Sequence, residues 1–300
     1  MLLQQTLNGL VLGSIYALIA LGYTMVYGIL ELINFAHGEV YMLGAYLGII
    51  VMALITQTVL GGLPAFILLP IVLTASMALA AAWGATIERV AYRPLRQAPR
   101  LAPLLSAVGV SIFLQNFVMV TQTAREKVMT NPLASIGIMV GYFRVSLIQL
   151  LIIAVTILFM VGLWYFIRHT RTGASMRAVA QDRHMAALCG INVDRTIMVT
   201  FLIGSSLGAA AGVMVALYWG VVNFYIGYLA GLKAFTAAVL GGIGNVPGAV
   251  LGGIFLGLCE AYGAGYLSAE YKDVYAFLLL ILVLIFRPSG FLGSTVTQKV

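Results

Sequence analysis

Val40–Val59 reads VYMLGAYLGIIVMALITQTV, a run without one Asp, Glu, Lys or Arg and continuously apolar rather than alternating. A helix needs about 20 such residues to cross the roughly 30 Å hydrocarbon core of a bilayer. A β-barrel also satisfies its backbone in lipid, but from alternating strands of about 10 residues, so this run reads as a transmembrane helix. The pattern repeats outward. No Asp, Glu, Lys or Arg lies between Glu39 and Glu88, from Leu101 to Ala124, from Val145 to Ile167, from Thr196 to Leu232 or from Ala234 to Cys259. Over 300 residues the chain is 62% hydrophobic and 8% charged, against about 25% charged in soluble domains. A soluble protein is excluded.

The expected fold is all-α: a polytopic transmembrane helical bundle with about eight membrane segments, some broken or re-entrant. The candidate spans are Leu7–Leu30, Val40–Val59, Ala65–Ile87, Leu101–Gln122, Ser146–Ile167, Thr196–Tyr218, Ala234–Cys259 and Val274–Arg287. The last is short, and Lys272 and Arg287 can snorkel to the two interfaces. Met1–Gln5 has no basic region or cleavage site, so the first apolar run is expected to stay as a helix. Glycines four apart, including Gly9/Gly13, Gly44/Gly48, Gly204/Gly208/Gly212 and Gly253/Gly257, let helix backbones approach closely in lipid.

A net charge of +7 reflects orientation rather than nucleic-acid binding, because the basic residues fall in short loops between apolar runs. Glu88–Arg100 and Arg168–Arg195 carry most of the arginines and are expected in the cytoplasm, with Thr123–Val145 outside. Arg168–Arg195 is rich in helix formers, which predicts a helix against the cytoplasmic face. Gly241-Gly242-Ile243-Gly244-Asn245-Val246-Pro247-Gly248 interrupts the seventh span with helix-breaking residues. The expectation is that the chain turns back there, which puts the C-terminal tail inside; the alternative, a single kinked helix, would put it outside.

Catalysis has little footing. There is no GxxxxGK[ST] loop and no HExxH, and His37, His169 and His184 are isolated. Cys189 and Cys259 form no metal or disulfide pattern. No cofactor is expected. Two places break the lipid-filling pattern, and polar groups at membrane depth are functional candidates. One is Glu31 to Glu39, with Asn34, His37, Gly38 and Glu39; the other is the interruption with Gly241, Gly242, Gly244, Asn245 and Pro247. Each reads either as a plain turn or kink or as a break shaping a translocation pathway.

Several of these stretches together resemble one family. Ile33-Asn34-Phe35-Ala36-His37-Gly38-Glu39 with Met42-Leu43-Gly44-Ala45-Tyr46, Ile87-Glu88-Arg89-Val90-Ala91-Tyr92-Arg93-Pro94, Gly190-Ile191-Asn192-Val193-Asp194-Arg195, and Lys233 through Ala249 are similar, in order, to the LivH-type permeases of bacterial high-affinity branched-chain amino acid ABC importers. The resemblance runs from Leu7 to Gly293. It implies a single transmembrane permease domain over 1–300 in the inner membrane, multi-pass and non-catalytic. Its implied partners are a homologous LivM-type permease, two cytoplasmic ATPase subunits that bind the ATP, and a periplasmic amino acid binding protein, besides membrane lipid; nucleic acid is not among them. It also implies a coupling loop at 168–195 that docks on an ATPase, with Arg177, Asp182, Ala186, Ala187 and Gly190 as its candidates. Met185-Ala186-Ala187-Leu188-Cys189-Gly190 lacks the Glu of the fuller importer pattern. The competing class is a stand-alone carrier or channel for small polar solutes, and urea or amide permeases are the nearer variant. An ion-coupled carrier would place a buried carboxylate in its middle spans, and Val40–Ile87 and Thr196–Leu232 contain none.

Overall fold

The computed structural model describes residues 2–30, 32, 34–58, 62–96, 98–99, 101–134, 136–140 and 143–293. It is a helical bundle of α1 (Leu2–Leu30), α2 (His37–Thr56), α3 (Ala65–Ile87), α4 (Leu101–Gln122), α5 (Leu147–His169), α6 (Arg171–Gln181), α7 (Arg183–Leu188), α8 (Val193–Trp219), α9 (Ile226–Gly241), α10 (Val246–Tyr266) and α11 (Lys272–Phe286). Among the described residues seven helices are long and apolar enough to cross a membrane, and α9 is a shorter apolar helix. After α3 the chain continues as a π-turn at Glu88–Tyr92 and a 3-10 turn at Arg93–Leu95.

Small residues build the interior. α1 packs most extensively on α10, where a Cβ added at Gly13 or Gly257 would collide with the backbone of the opposite helix. α2 meets α8 in the same way, Gly44 against Ala209 and Gly212 against Tyr41 and Ala45. In lipid no hydrophobic force draws helices together, so close van der Waals contact between small residues does. α4, α5 and α11 are peripheral, burying only a stripe each and exposing residues such as Leu105, Phe113, Leu158 and Ile285.

Both ends of the bundle are tied by polar contacts. At the arginine-rich end, Arg96 bridges buried Glu88 and Asp194, and Arg183 Nη2 donates to Leu30 O at 2.7 Å. The loops 88–100 and 168–195 therefore share a face, as expected. At the other end β1 (Lys127–Val128) pairs antiparallel with β4 (Val221–Val222). β2 (Gly137–Val140) and β3 (Phe143–Ser146) form an antiparallel hairpin, a small β element that sequence reading missed.

Two span boundaries need correction. α2 begins at His37, not Val40: His37 N donates to Asn34 O at 3.0 Å and Val40 N to Ala36 O at 3.2 Å, so His37, Gly38 and Glu39 form its first turn. Ala234–Cys259 is not one element but parts of two: α9 ends at Gly241 and α10 starts at Val246. The pair is antiparallel, Gly241 crossing Gly248 and Gly252 lying against Ala237. The chain does turn back, but its arms begin at Ile226 and end at Tyr266, and the turn lies at the arginine-rich face. Residues 290–293 reach the same face, Leu292 N donating to Gly241 O at 3.0 Å.

Candidate functional site

Asn34 sets up the first break. Its Oδ1 accepts Ala36 N at 3.0 Å and Tyr92 Oη at 2.7 Å, so one buried amide both holds the turn just before α2 and fastens the break to the π-turn after α3. The start of α2 is deep in the bundle. His37 packs between Gly22 of α1 and Gly208 of α8 and meets Tyr23 edge-on at 4.8 Å. Gly22 precedes the end of α1 by eight residues, about 12 Å at 1.5 Å per residue. Gly38 crosses α9 at Gly227 and Gly231.

Glu39 follows one residue later and faces a cavity of about 430 Å³ between α2, α4 and α9. Its Oε1 accepts Gln115 Nε2 at 2.7 Å and Ser111 Oγ at 3.1 Å. Its Oε2 is buried without a hydrogen-bond partner. Tyr23, Phe35, Tyr225 and Tyr228 supply aromatic walls, and Val108 and Ile112 an apolar one.

The second break is built differently. Gly242 and Gly244 have φ of +97° and +92°, a region L side chains rarely enter. Asn245 Oδ1 then accepts Gly248 N at 3.0 Å to start α10, with Pro247 in its first turn, where its missing N–H is harmless. Asn245 Nδ2 also donates to Leu292 O at 2.9 Å. Gly244, Asn245 and Pro247 line an open cleft of about 830 Å³ with Trp164, Arg168 and Arg177.

The structure thus splits the candidate residues by place. Asn34, His37, Gly38 and Glu39 gather inside the bundle. Gly241 to Pro247 lie at the arginine-rich face, sharing their cleft with Arg177. The loop bearing Arg177 is two helices rather than one, broken at Asp182, whose Oδ1 accepts Met185 N at 3.0 Å and caps α7. Ala186 is buried, while Met185, Ala187, Leu188 and Gly190 are exposed. Gly190, at φ +81°, closes α7 through its N–H to Ala187 O at 3.0 Å.

Sequence reading missed a buried ion network. Lys233 Nζ lies 2.8 Å from Glu260 Oε1 and 2.6 Å from Asp273 Oδ1. Lys272 reaches Glu260 Oε1 at 3.2 Å, and Tyr16 Oη donates to its Oε2 at 2.8 Å. Lys233 and Glu260 flank the charge-free run from Ala234 to Cys259, which was the available signal, but flanking charges read as span ends. Ser111, Gln115, Tyr225 and Tyr228 gave no signal beyond being polar in an apolar run. Glu39, Glu88 and Glu260 are all buried, so the absence of carboxylates within the runs does not by itself separate a carrier from an importer subunit. Among the described residues no group of three His, Cys, Asp or Glu side chains is placed to hold a metal ion.

Comparison with known proteins supplies the separation. Residues 5–284 match the permease component family of branched-chain amino acid transport systems. The high-affinity branched-chain amino acid transport system permease protein BraD of Pseudomonas aeruginosa is 51% identical over 307 residues, covering 99% of this chain and 98% of that protein. LivH of Escherichia coli K12, of the same description, is 49% identical over 303 residues, covering 99% and 97%. A more distant relative, the probable branched-chain amino acid transport permease LivH of Methanocaldococcus jannaschii, is 23% identical across 95% of this chain.

Proposed function

The chain belongs to the permease component family of branched-chain amino acid transport systems, and from that premise we propose that it carries leucine, isoleucine or valine inward across the bacterial inner membrane. It is the membrane-spanning, non-catalytic subunit of a high-affinity ABC importer, whose ATPase and binding-protein partners supply energy and captured substrate. The finer composition belongs to the proposal: a LivM-type second permease, two ATPase subunits and a periplasmic binding protein.

The observation that supports the route is the break held by Asn34. It puts the first turn of α2 and Glu39 against a cavity between α2, α4 and α9, open past Ile112, Tyr225 and Tyr228, rather than in an interfacial turn. Irregular backbone is tolerated at that depth only where protein or a wet cavity satisfies it. Asn34 and His37 hold the break in shape, one by hydrogen bonds and the other by filling the slot between α1 and α8. Glu39 faces the solute.

The coupling role goes to α6 and α7. Their exposed Met185, Ala187 and Leu188 form a small apolar surface at the arginine-rich end, the cytoplasmic one by the positive-inside rule. Gly241 to Pro247, beside Arg177, lie where movement of that surface would reach α9 and α10.

Reconstitution of the chain with its partners tests the transport reading: ATP-driven uptake of leucine, isoleucine and valine is expected, and no uptake with a fully assembled complex overturns it. A cysteine at Arg177 or Ala187 is expected to cross-link an ATPase subunit. Ready labelling of either from the periplasmic side overturns the orientation and the coupling role together.

A further inference from the structure

Three carboxylates are buried among the described residues: Glu39, Glu88 and Glu260. Two of them have cations. Glu88 is bridged by Arg93 and Arg96, and Glu260 by Lys233 and Lys272. Glu39 has none among the described residues; two neutral donors share its Oε1, and Oε2 has no hydrogen-bond partner. It is also the one of the three that lines a cavity among those described.

A carboxylate removed from water without a cation is costly. Arg96 and Lys233 supply that cation permanently at the other two sites, which makes those sites structural. Glu39 has no such cation among the described residues: its Oε2 is closed off from solvent against Gly227, and its carboxyl group lines the cavity. The cavity, at about 430 Å³, lies within the roughly 300–1,000 Å³ of small-molecule sites, and aromatic and aliphatic side chains form most of its remaining wall. The first turn of α9 borders it through Gly227, and Glu39 Oε2 lies against that turn, so the positive end of α9 faces the Glu39 carboxylate.

We propose that this cavity is a binding site for a zwitterionic amino acid, with the Glu39 carboxylate accepting the α-ammonium group and Tyr225, Tyr228, Val108 and Ile112 receiving an apolar side chain. The proposal rests on the transport reading above and deepens it. Gln115 and Ser111, which line the cavity, fix the carboxylate in one orientation through Oε1, with Oε2 against Gly227. Recognition of the ammonium group selects amino acids over fatty acids of the same carbon skeleton, and the aromatic wall favours apolar side chains.

The test uses the complete importer in proteoliposomes, with Cys189→Ser and Cys259→Ala to clear the background and Val108→Cys as a reporter in the cavity wall. The rate of alkylation by a small methanethiosulfonate reagent is measured with leucine, isoamylamine (leucine without its carboxylate) and isocaproate (leucine without its amine). Leucine and isoamylamine are expected to slow labelling about tenfold, as a charge-assisted hydrogen bond allows, and isocaproate not at all. Glu39→Gln removes that protection, and Glu39→Asp, which keeps the charge, retains part of it. Equal protection by isocaproate, or protection by leucine unchanged in Glu39→Gln, overturns the proposal. So does protection by sodium or protons alone. Where Glu39→Gln fails to assemble with the ATPase subunits, the three ligands on the reporter background still decide. ATP-driven leucine uptake without any protection at Val108→Cys would place the site elsewhere and leave the transport reading intact. Absence of uptake would sink the transport reading itself.

Discussion

Two asparagines start two helices in this bundle, and they do so in opposite settings. Asn34 ties the turn before α2 inside the protein, its Oδ1 accepting Ala36 N and the Tyr92 hydroxyl. Asn245 caps α10 at the arginine-rich face, with its amide on Leu292 O at an exposed edge. The local chemistry is one motif, an Asx oxygen on the backbone N–H two or three residues on. Depth separates their consequences. A break inside the bundle must find every polar partner within the protein, and it sits beside a cavity. A break at the face can borrow water, and it sits beside the helices expected to meet an ATPase.

The sharpest way to break this contrast is Gly242→Val. The position has φ +97°, and a Cβ there would collide with Gly293. A β-branched residue adds about 1–3 kcal/mol of backbone strain on top of the clash, enough to shift a two-state equilibrium about tenfold or more. Membrane insertion is expected to persist, since hydrophobicity rises. Uptake should fall at least about tenfold while ATP hydrolysis by the complex continues, because the turn lies on the coupling side. Loss of both together would mean that the hairpin is only structural, and uptake at the parental rate would remove it from transport altogether.

The spans themselves were legible because the bilayer enforces them: a backbone in lipid must close its own hydrogen bonds, and that demand is written as long charge-free runs. The glycine spacing was legible for the same reason, and Gly9/Gly13 and Gly253/Gly257 do meet across α1 and α10. The first half of α9 was not. Lys233 marks the edge of an apolar run, and only its meeting with Glu260, 27 residues along the chain, turns that edge into an interior. The start of α2 was hidden likewise, because the turn before it is held by Tyr92, 58 residues away from Asn34. The candidate residues could be found as a set by their polarity. Their division into an inner and a facial group could not, since depth is a property of packing.

Replacing each asparagine by alanine puts the contrast on one scale. Asn34→Ala removes the turn hydrogen bond to Ala36 N, about 1 kcal/mol. It also leaves the buried Tyr92 hydroxyl without its acceptor, about 1–3 kcal/mol more. A clear drop in the thermal midpoint of the assembled complex is expected, with uptake reduced. Asn34→Asp, which keeps the acceptor oxygens, should recover part of the loss. A drop no larger than that of an exposed substitution would show that the break is held by packing around His37 instead.

Asn245→Ala is the smaller effect and the stricter test. It removes a true helix cap and a tertiary hydrogen bond, but water can reach both ends of the bond to Leu292, so little beyond the cap, about 1 kcal/mol, should be lost. The thermal midpoint should therefore move less than for Asn34→Ala. The change expected is in function: releasing residues 290–293 from Asn245 loosens the α9–α10 turn beside Arg177 without touching the cavity at Glu39. Leucine protection of the Val108→Cys reporter should remain at its parental value while the number of leucines taken up per ATP hydrolysed falls. If Asn245→Ala instead abolishes protection at the reporter, the two breaks act as one unit, and the division of the molecule by depth fails.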